Sequence, residues 1–157
     1  MNAELPDLAA LDRFVREHRW TGKRERDDAE LESVRELRAM LRRFWKSSEQ
    51  TIVALVNRVL RDGHACPQLV KHDGWDYHLH STAPEAPLAT RMAVEAAMGM
   101  LDLVRTKELS RLRTCEYPSC DDVLVDLSKN RSKRFCGTNC GNRAAVEAYR
   151  ARRHGLD

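Results

Sequence analysis

The chain has 157 residues, 42% of them hydrophobic and 32% charged, the balance of a globular protein with one ordinary core and room for a small appended module. No stretch approaches the roughly 18 uninterrupted apolar residues of a membrane span. The opening MNAELPDLAA holds two acids, no base and no long apolar run, unlike a secretory leader. A cytoplasmic protein with no membrane partner is expected. The net charge of +3 is unevenly spread: the first 106 residues carry 16 bases and 17 acids, whereas residues 127–153 carry eight bases and the single acid Glu147.

Leu8, Leu11, Phe14, Val15 and His18 recur at helical spacing between Pro6-Asp7 and Gly22, which predicts a short amphipathic helix. Leu31, Val34, Leu37, Leu41, Phe44 and Trp45 form the apolar stripe of a second helix, with Glu32, Arg35, Glu36, Arg38, Arg42 and Arg43 opposite. Ser47-Ser48-Glu49-Gln50 signals the cap of a third, carrying Ile52, Val53, Leu55, Val56, Val59 and Leu60 and ended by Gly63. These stripes read as core. The period then changes. Gln68 to His72 and Trp75 to His80 flank Asp73-Gly74, a hairpin turn signal. Alternation predicts Trp75, Tyr77 and Leu79 on a buried face and Asp76, His78 and His80 on a wet one. A proline-bearing loop, Ser81 to Pro87, leads to a fourth helix from about Leu88 to Leu109. Its Ala93, Ala96, Ala97 and Gly99 predict one close helix contact. Cys66 is expected to be a buried small residue. Of His64, His72, His78 and His80, the last two share a strand face. No carboxylate pattern accompanies them, so solvated strand histidines are the default and a second metal the lesser reading.

The remaining thiols carry the clearest chemistry. Cys115 and Cys120 form C-x4-C, Cys136 and Cys140 form C-x3-C, and residues 121–135 separate the pairs. Two close pairs joined by a hairpin-sized spacer suit one tetrahedral four-sulfur Zn2+ site. Two disulfides are the competing reading, but nothing in the sequence indicates an oxidising compartment; another thiophilic metal would suit the same donors. Four thiolates close the shell of zinc and leave no position for water, so its role would be structural. No nucleophile–base pair, phosphate loop or open metal site is visible, and no enzymatic activity is expected.

Around the thiols, Cys115 to Cys120 predicts a tight knuckle, Val123 to Val125 a strand, Ser128 to Ser132 a polar turn, and Lys133 to Cys136 a returning strand. Asn139 would cap a helix from about Cys140 to Arg153. The expected architecture is α+β: a mostly helical domain over residues 1–109 with a small hairpin near 68–80, then a treble-clef-like zinc finger over 110–157.

Cys136-Gly137-Thr138-Asn139-Cys140-Gly141-Asn142-Arg143 contains the Cys-Gly-Asn-Arg tetrad of the CGNR zinc-finger family. The resemblance extends to Cys115, Cys120, Val125-Asp126, Ser128, Asn130, Arg134 and Tyr149 to Arg153, roughly the last 45 residues. The preceding half resembles the ABATE domain, chiefly at Leu31 to Leu60 and the Trp75 hairpin. The resemblance implies a stress-related transcription regulator or nucleic-acid-binding zinc protein. Lys129 and Phe135 stand where relatives often have Arg and Trp, which removes a bidentate fork and an indole donor. The apolar opening strand common in related chains is not seen here, so either the N-terminal sheet is a strand short or the chain starts further upstream.

Lys129, Arg131, Lys133, Arg134, Arg143, Arg150, Arg152 and Arg153 exceed what a four-thiolate zinc centre needs for neutralisation, and they are the candidate phosphate contacts. For Arg143 an internal pair with Asp126 or Asp121 is the equal alternative, and Asn142 reads as structural. Tyr117 and Tyr149 are the only aromatics in the module that could stack on unpaired bases, which favours duplex DNA over RNA. The helical domain would sense a small molecule or form a homodimer. The alternative readings are a zinc-stapled protein–protein interaction module and an RNA-binding protein.

Overall fold

The computed structural model describes residues 2–71, 74 and 76–154. The chain divides into two compact units, residues 3–107 and residues from Glu108 onward, with Asn2 grouped with the second. The class is α+β, as the sequence predicts.

The first unit holds α1 (Leu8–Glu17), α2 (Asp28–Arg42), α3 (Glu49–Asp62) and α4 (Leu88–Arg105), with a ribbon of β1 (Gln68–Val70) and β2 (His78–His80) between the last two helices in chain order. Three helices begin at side-chain caps. Asp7 accepts from Ala10 N–H at 2.7 Å, Asp27 from Glu30 N–H at 2.8 Å, and Ser48 Oγ from Thr51 N–H at 3.3 Å, each satisfying a donor that the first turn leaves without a helical partner. After Arg42 the second helix tightens into a 3-10 turn, Arg43–Lys46, which drops Phe44 into the core at 1% exposure. The predicted stripe is therefore right at Phe44, although the α-helix stops short of it.

Helix α4 packs on both α2 and α3. Leu11, Val34, Ile52, Leu88, Val94 and Ala97 are buried with Phe44. At Gly63, at the end of α3, a Cβ would stand 2.4 Å from Val94 Cγ2 of α4. At Gly99, the expected contact, a Cβ would meet nothing within 4 Å. Arg91 of α4 is buried and stitches two loops, donating to the carbonyls of Pro84, Ala86 and, at 2.9 Å, Lys23. Gly22, at φ +90°, makes room for this crossing, since a Cβ there would lie 2.6 Å from the Pro84 oxygen.

The ribbon pairs antiparallel with Gln68 opposite His80 and Val70 opposite His78. Its predicted faces are reversed. Tyr77 and Leu79 are 70% and 45% exposed, while Val70, His78 and His80 are half-buried. A strand pair this short buries too little for hydrophobicity alone to choose its face, and here the imidazoles turn inward. Cys66, expected inside, is exposed. His72, Asp73 and Trp75 lie outside the described residues.

The second unit comprises a 3-10 turn (Leu109–Arg111), β3 (Leu112–Thr114), β4 (Val123–Val125) and α5 (Thr138–His154). The partner of β4 is β3, with Leu112 opposite Val125 and Thr114 opposite Val123. Residues 133–136, predicted as the returning strand, are irregular. They dock instead on the first knuckle, where Glu116 N–H donates to the Arg134 carbonyl at 2.9 Å. Helix α5 starts before Asn139, so this residue sits in the first turn and is not the cap.

Candidate metal centre

The β3–β4 ribbon carries the knuckle between its strands, so Cys115 leaves β3 while Cys120 returns towards β4. Cys136 comes from the loop before α5, and Cys140 from the helix's first turn. The four Sγ atoms all lie within 4.8 Å of one another. Cys120 and Cys136 sulfurs are 3.7 Å apart, as are those of Cys136 and Cys140. A tetrahedral ion with bonds of about 2.3 Å sets its sulfurs about 3.75 Å from each other, which these two pairs match, so the four thiols suit zinc. All of them are free, which removes the disulfide reading.

Cys136 N–H donates to Cys115 Sγ at 3.4 Å. Burial pushes the Cys115 thiol up, but hydrogen bonds from the Cys136 and Tyr117 backbones and from neighbouring thiols outweigh it and bring it down to about 7. Burial raises the Cys136 and Cys140 thiols. Four clustered thiols resist ionising together, and a divalent cation reverses that balance. Phe135, Tyr117 and Ala144 pack around the sulfurs and keep them from water.

Asp126 anchors the module from below. Its side chain is fully buried. Oδ1 accepts from Ser128 Oγ at 2.6 Å and Ser128 N–H at 2.9 Å, and Oδ2 accepts from Lys133 N–H at 2.9 Å. The Ser128 hydroxyl, with these backbone donors and the Arg113 guanidinium, holds its carboxyl below the usual carboxylate range against the opposing effect of burial. The turn that brings Cys136 back to Cys115 is thereby fixed. The sequence signal for it is Asp-x-Ser, an aspartate positioned to accept from the backbone two residues on.

The eight candidate cations fall into three groups. Arg131 pairs with Glu108 at 2.7 Å, and Arg134 with Glu116 at 2.6 Å. Arg143 and Arg153 stand over aromatic rings: Tyr117 at 4.4 Å and Tyr149 at 6.0 Å. Lys129, Lys133, Arg150 and Arg152 are exposed, and none makes an ion pair among the described residues. Arg143 thus meets neither Asp126 nor Asp121, but the buried Tyr117. Tyr117 is covered and leaves Tyr149, 55% exposed, as the stacking candidate. Glu108 and Glu116, which hold two of the predicted contacts, were invisible to a count of charges over 127–153.

A knuckle, a two-stranded ribbon and a ligand-bearing helix around four thiols define a structural zinc finger of one Zn2+. Residues 111–153 match the CGNR zinc finger family, and residues 2–107 match the ABATE family, described as "Putative stress-induced transcription regulator". The latter match spans two-thirds of the chain, and the protein belongs to the ABATE family with a C-terminal CGNR zinc finger. No curated protein matches it. Among the described residues, no helix is long and apolar enough to cross a membrane.

Proposed function

We propose that this protein is a transcription regulator whose zinc finger binds duplex DNA through α5 and the turn at Lys129–Lys133. The observation that carries the reading is the exposed end of α5. Every described side chain from Ala145 to Arg153 is exposed, and this half of the helix holds Arg150, Arg152 and Arg153. The turns of α5 beyond Glu147, which accepts from Tyr117, are exposed and would fit a major groove about 12 Å wide. Phosphates would be met by Lys129, Lys133, Arg150 and Arg152, cations with no ion pair among the described residues. The scarcity of exposed aromatics argues against stacking on single strands. The family description supports the regulatory role. The zinc is a staple here and performs no reaction, and the helical unit supplies the regulatory input through a small molecule or self-association.

A second reading has one observation in its favour. Val146 and Tyr149, 48% and 55% exposed, add an apolar element to the same helix, which suits a protein partner. The deciding experiment is binding of the zinc-loaded protein to random duplex DNA, single-stranded DNA and RNA over a salt series. Duplex binding that weakens with salt supports the first reading. Failure to bind all three at low salt overturns it in favour of the second.

A further inference from the structure

The inward face of the β1–β2 ribbon brings two imidazoles together. His78 and His80 lie two apart on β2 and project from one face. Their Nε2 atoms are 3.0 Å apart. His78 Nδ1 lies 2.8 Å from the Asp76 carbonyl oxygen. A carbonyl only accepts, so Nδ1 carries a proton, and Nε2 is the ring nitrogen turned to His80. Two nitrogens bound to one ion at about 2.0–2.1 Å, with an angle of about 90–110°, stand about 2.9–3.4 Å from each other. The observed separation falls in that range. A carbonyl on the opposite ring nitrogen is also the usual orienting partner of a metal-bound histidine.

The pair opens on a cavity of about 510 Å³, lined as well by His18, Trp20, Arg91 and the exposed carboxylate Glu95 of α4. We propose that His78 and His80 chelate a divalent transition-metal ion of the imidazole-preferring class (zinc, nickel or copper), with Glu95 as third ligand, at a site separate from the four cysteines. Among the described residues, the cysteines are the only set of three or more donor atoms lying within 4.8 Å of one another. As placed, Glu95 does not complete a three-donor set with the imidazoles; it lines the same cavity and would swing in when the ion binds. Nitrogen and oxygen donors suit this class of ion, whereas the sulfur site retains zinc. Three protein donors would leave a coordination position for water or a small ligand, unlike the closed four-thiolate shell. Without an ion, a single proton shared between the rings accounts for the same 3.0 Å, so metal uptake separates the two accounts.

The site stands whether or not the finger binds DNA, and its test reads metal alone. Full-length protein holding one zinc per chain is dialysed against micromolar Ni2+, and bound metals are counted. One nickel per chain is expected beside the zinc. The His78→Gln/His80→Gln variant takes up none, and Glu95→Gln binds about tenfold more weakly or worse. His64→Asn, altered on the exposed turn after α3, behaves as the unmodified chain. As a readout free of any folding effect of substitution, nickel broadens the imidazole resonances of His78 and His80 in the unmodified protein before those of His18 and His64. No nickel uptake, equal uptake by the double variant, or uniform broadening of all histidines would overturn the proposal.

Discussion

The Arg143 guanidinium stands 4.4 Å from the centre of the Tyr117 ring, and the Tyr117 hydroxyl donates to Glu147 at 2.6 Å. One buried aromatic of the first knuckle is thus held by two residues of α5 four positions apart. The helix is clamped to the metal centre along one face, and the arginine of the tetrad acts in this clamp. Arg143→Ala is expected to cost the zinc-loaded finger about 0.5–1 kcal/mol. Tyr117→Phe, which removes the hydroxyl, lowers its melting temperature as well. The two losses are expected to be non-additive, since both act on one ring. Thermal melts of the two single variants and the double variant check this.

Zinc removal has a sharper consequence. Structural zinc contributes on the order of 10 kcal/mol to small modules, more than the second unit's few buried side chains supply. A strong chelator is expected to unfold residues 108 onward while the helices of the first unit persist. Circular dichroism would show only the loss of α5, and limited proteolysis would cut after Lys107. Cys115, Cys120, Cys136 and Cys140 would then join the already exposed Cys66 in reacting with a thiol reagent.

Acid should destabilise the finger through Asp126. Its folded carboxyl lies below the unfolded value, so the stability it contributes is present above the unfolded range, about pH 3.9, and is lost as pH falls through the folded value. Asp126→Asn keeps the shape but replaces one accepting oxygen with a donor. The variant is expected to melt lower than the native chain at pH 7, and the gap should narrow below about pH 4. Melting curves at the two pH values test the sign.

Two glycines separate packing from propensity. Gly63→Ala drives a methyl towards Val94 Cγ2, 2.4 Å from the new carbon, and is expected to destabilise the helical unit by about 1–3 kcal/mol. Gly99→Ala meets nothing within 4 Å and lies inside α4, so it should stabilise by roughly 0.5–1 kcal/mol. Urea unfolding of both variants measures the difference.

The helices and the metal ligands were legible because their signals are local: caps, apolar residues three and four apart, and thiols at fixed spacing. What the sequence left open depends on distant partners. β4 could have paired with either flanking segment, and β3 takes it because the Asp126 hydrogen bonds draw residues 128–133 into a turn. The ribbon's alternation at Tyr77, His78, Leu79 and His80 was correct in period, yet nothing local states which face docks. Charge counting likewise placed Arg131 and Arg134 with Arg150 and Arg152, although Glu108 and Glu116 bind the first two from more than ten residues away.

One pair of variants tests whether α5 carries the DNA contacts. Duplex DNA affinity is measured across a salt series for Arg150→Ala/Arg152→Ala and for Arg131→Ala/Arg134→Ala, with zinc content checked in each. If α5 meets phosphate, the first pair lowers the salt slope by about 0.9 per contact removed and weakens binding at every salt concentration, while the second pair leaves the slope unchanged. An unaltered slope in the first pair, or an equal fall in both, would contradict the assignment of α5 as the DNA-binding element.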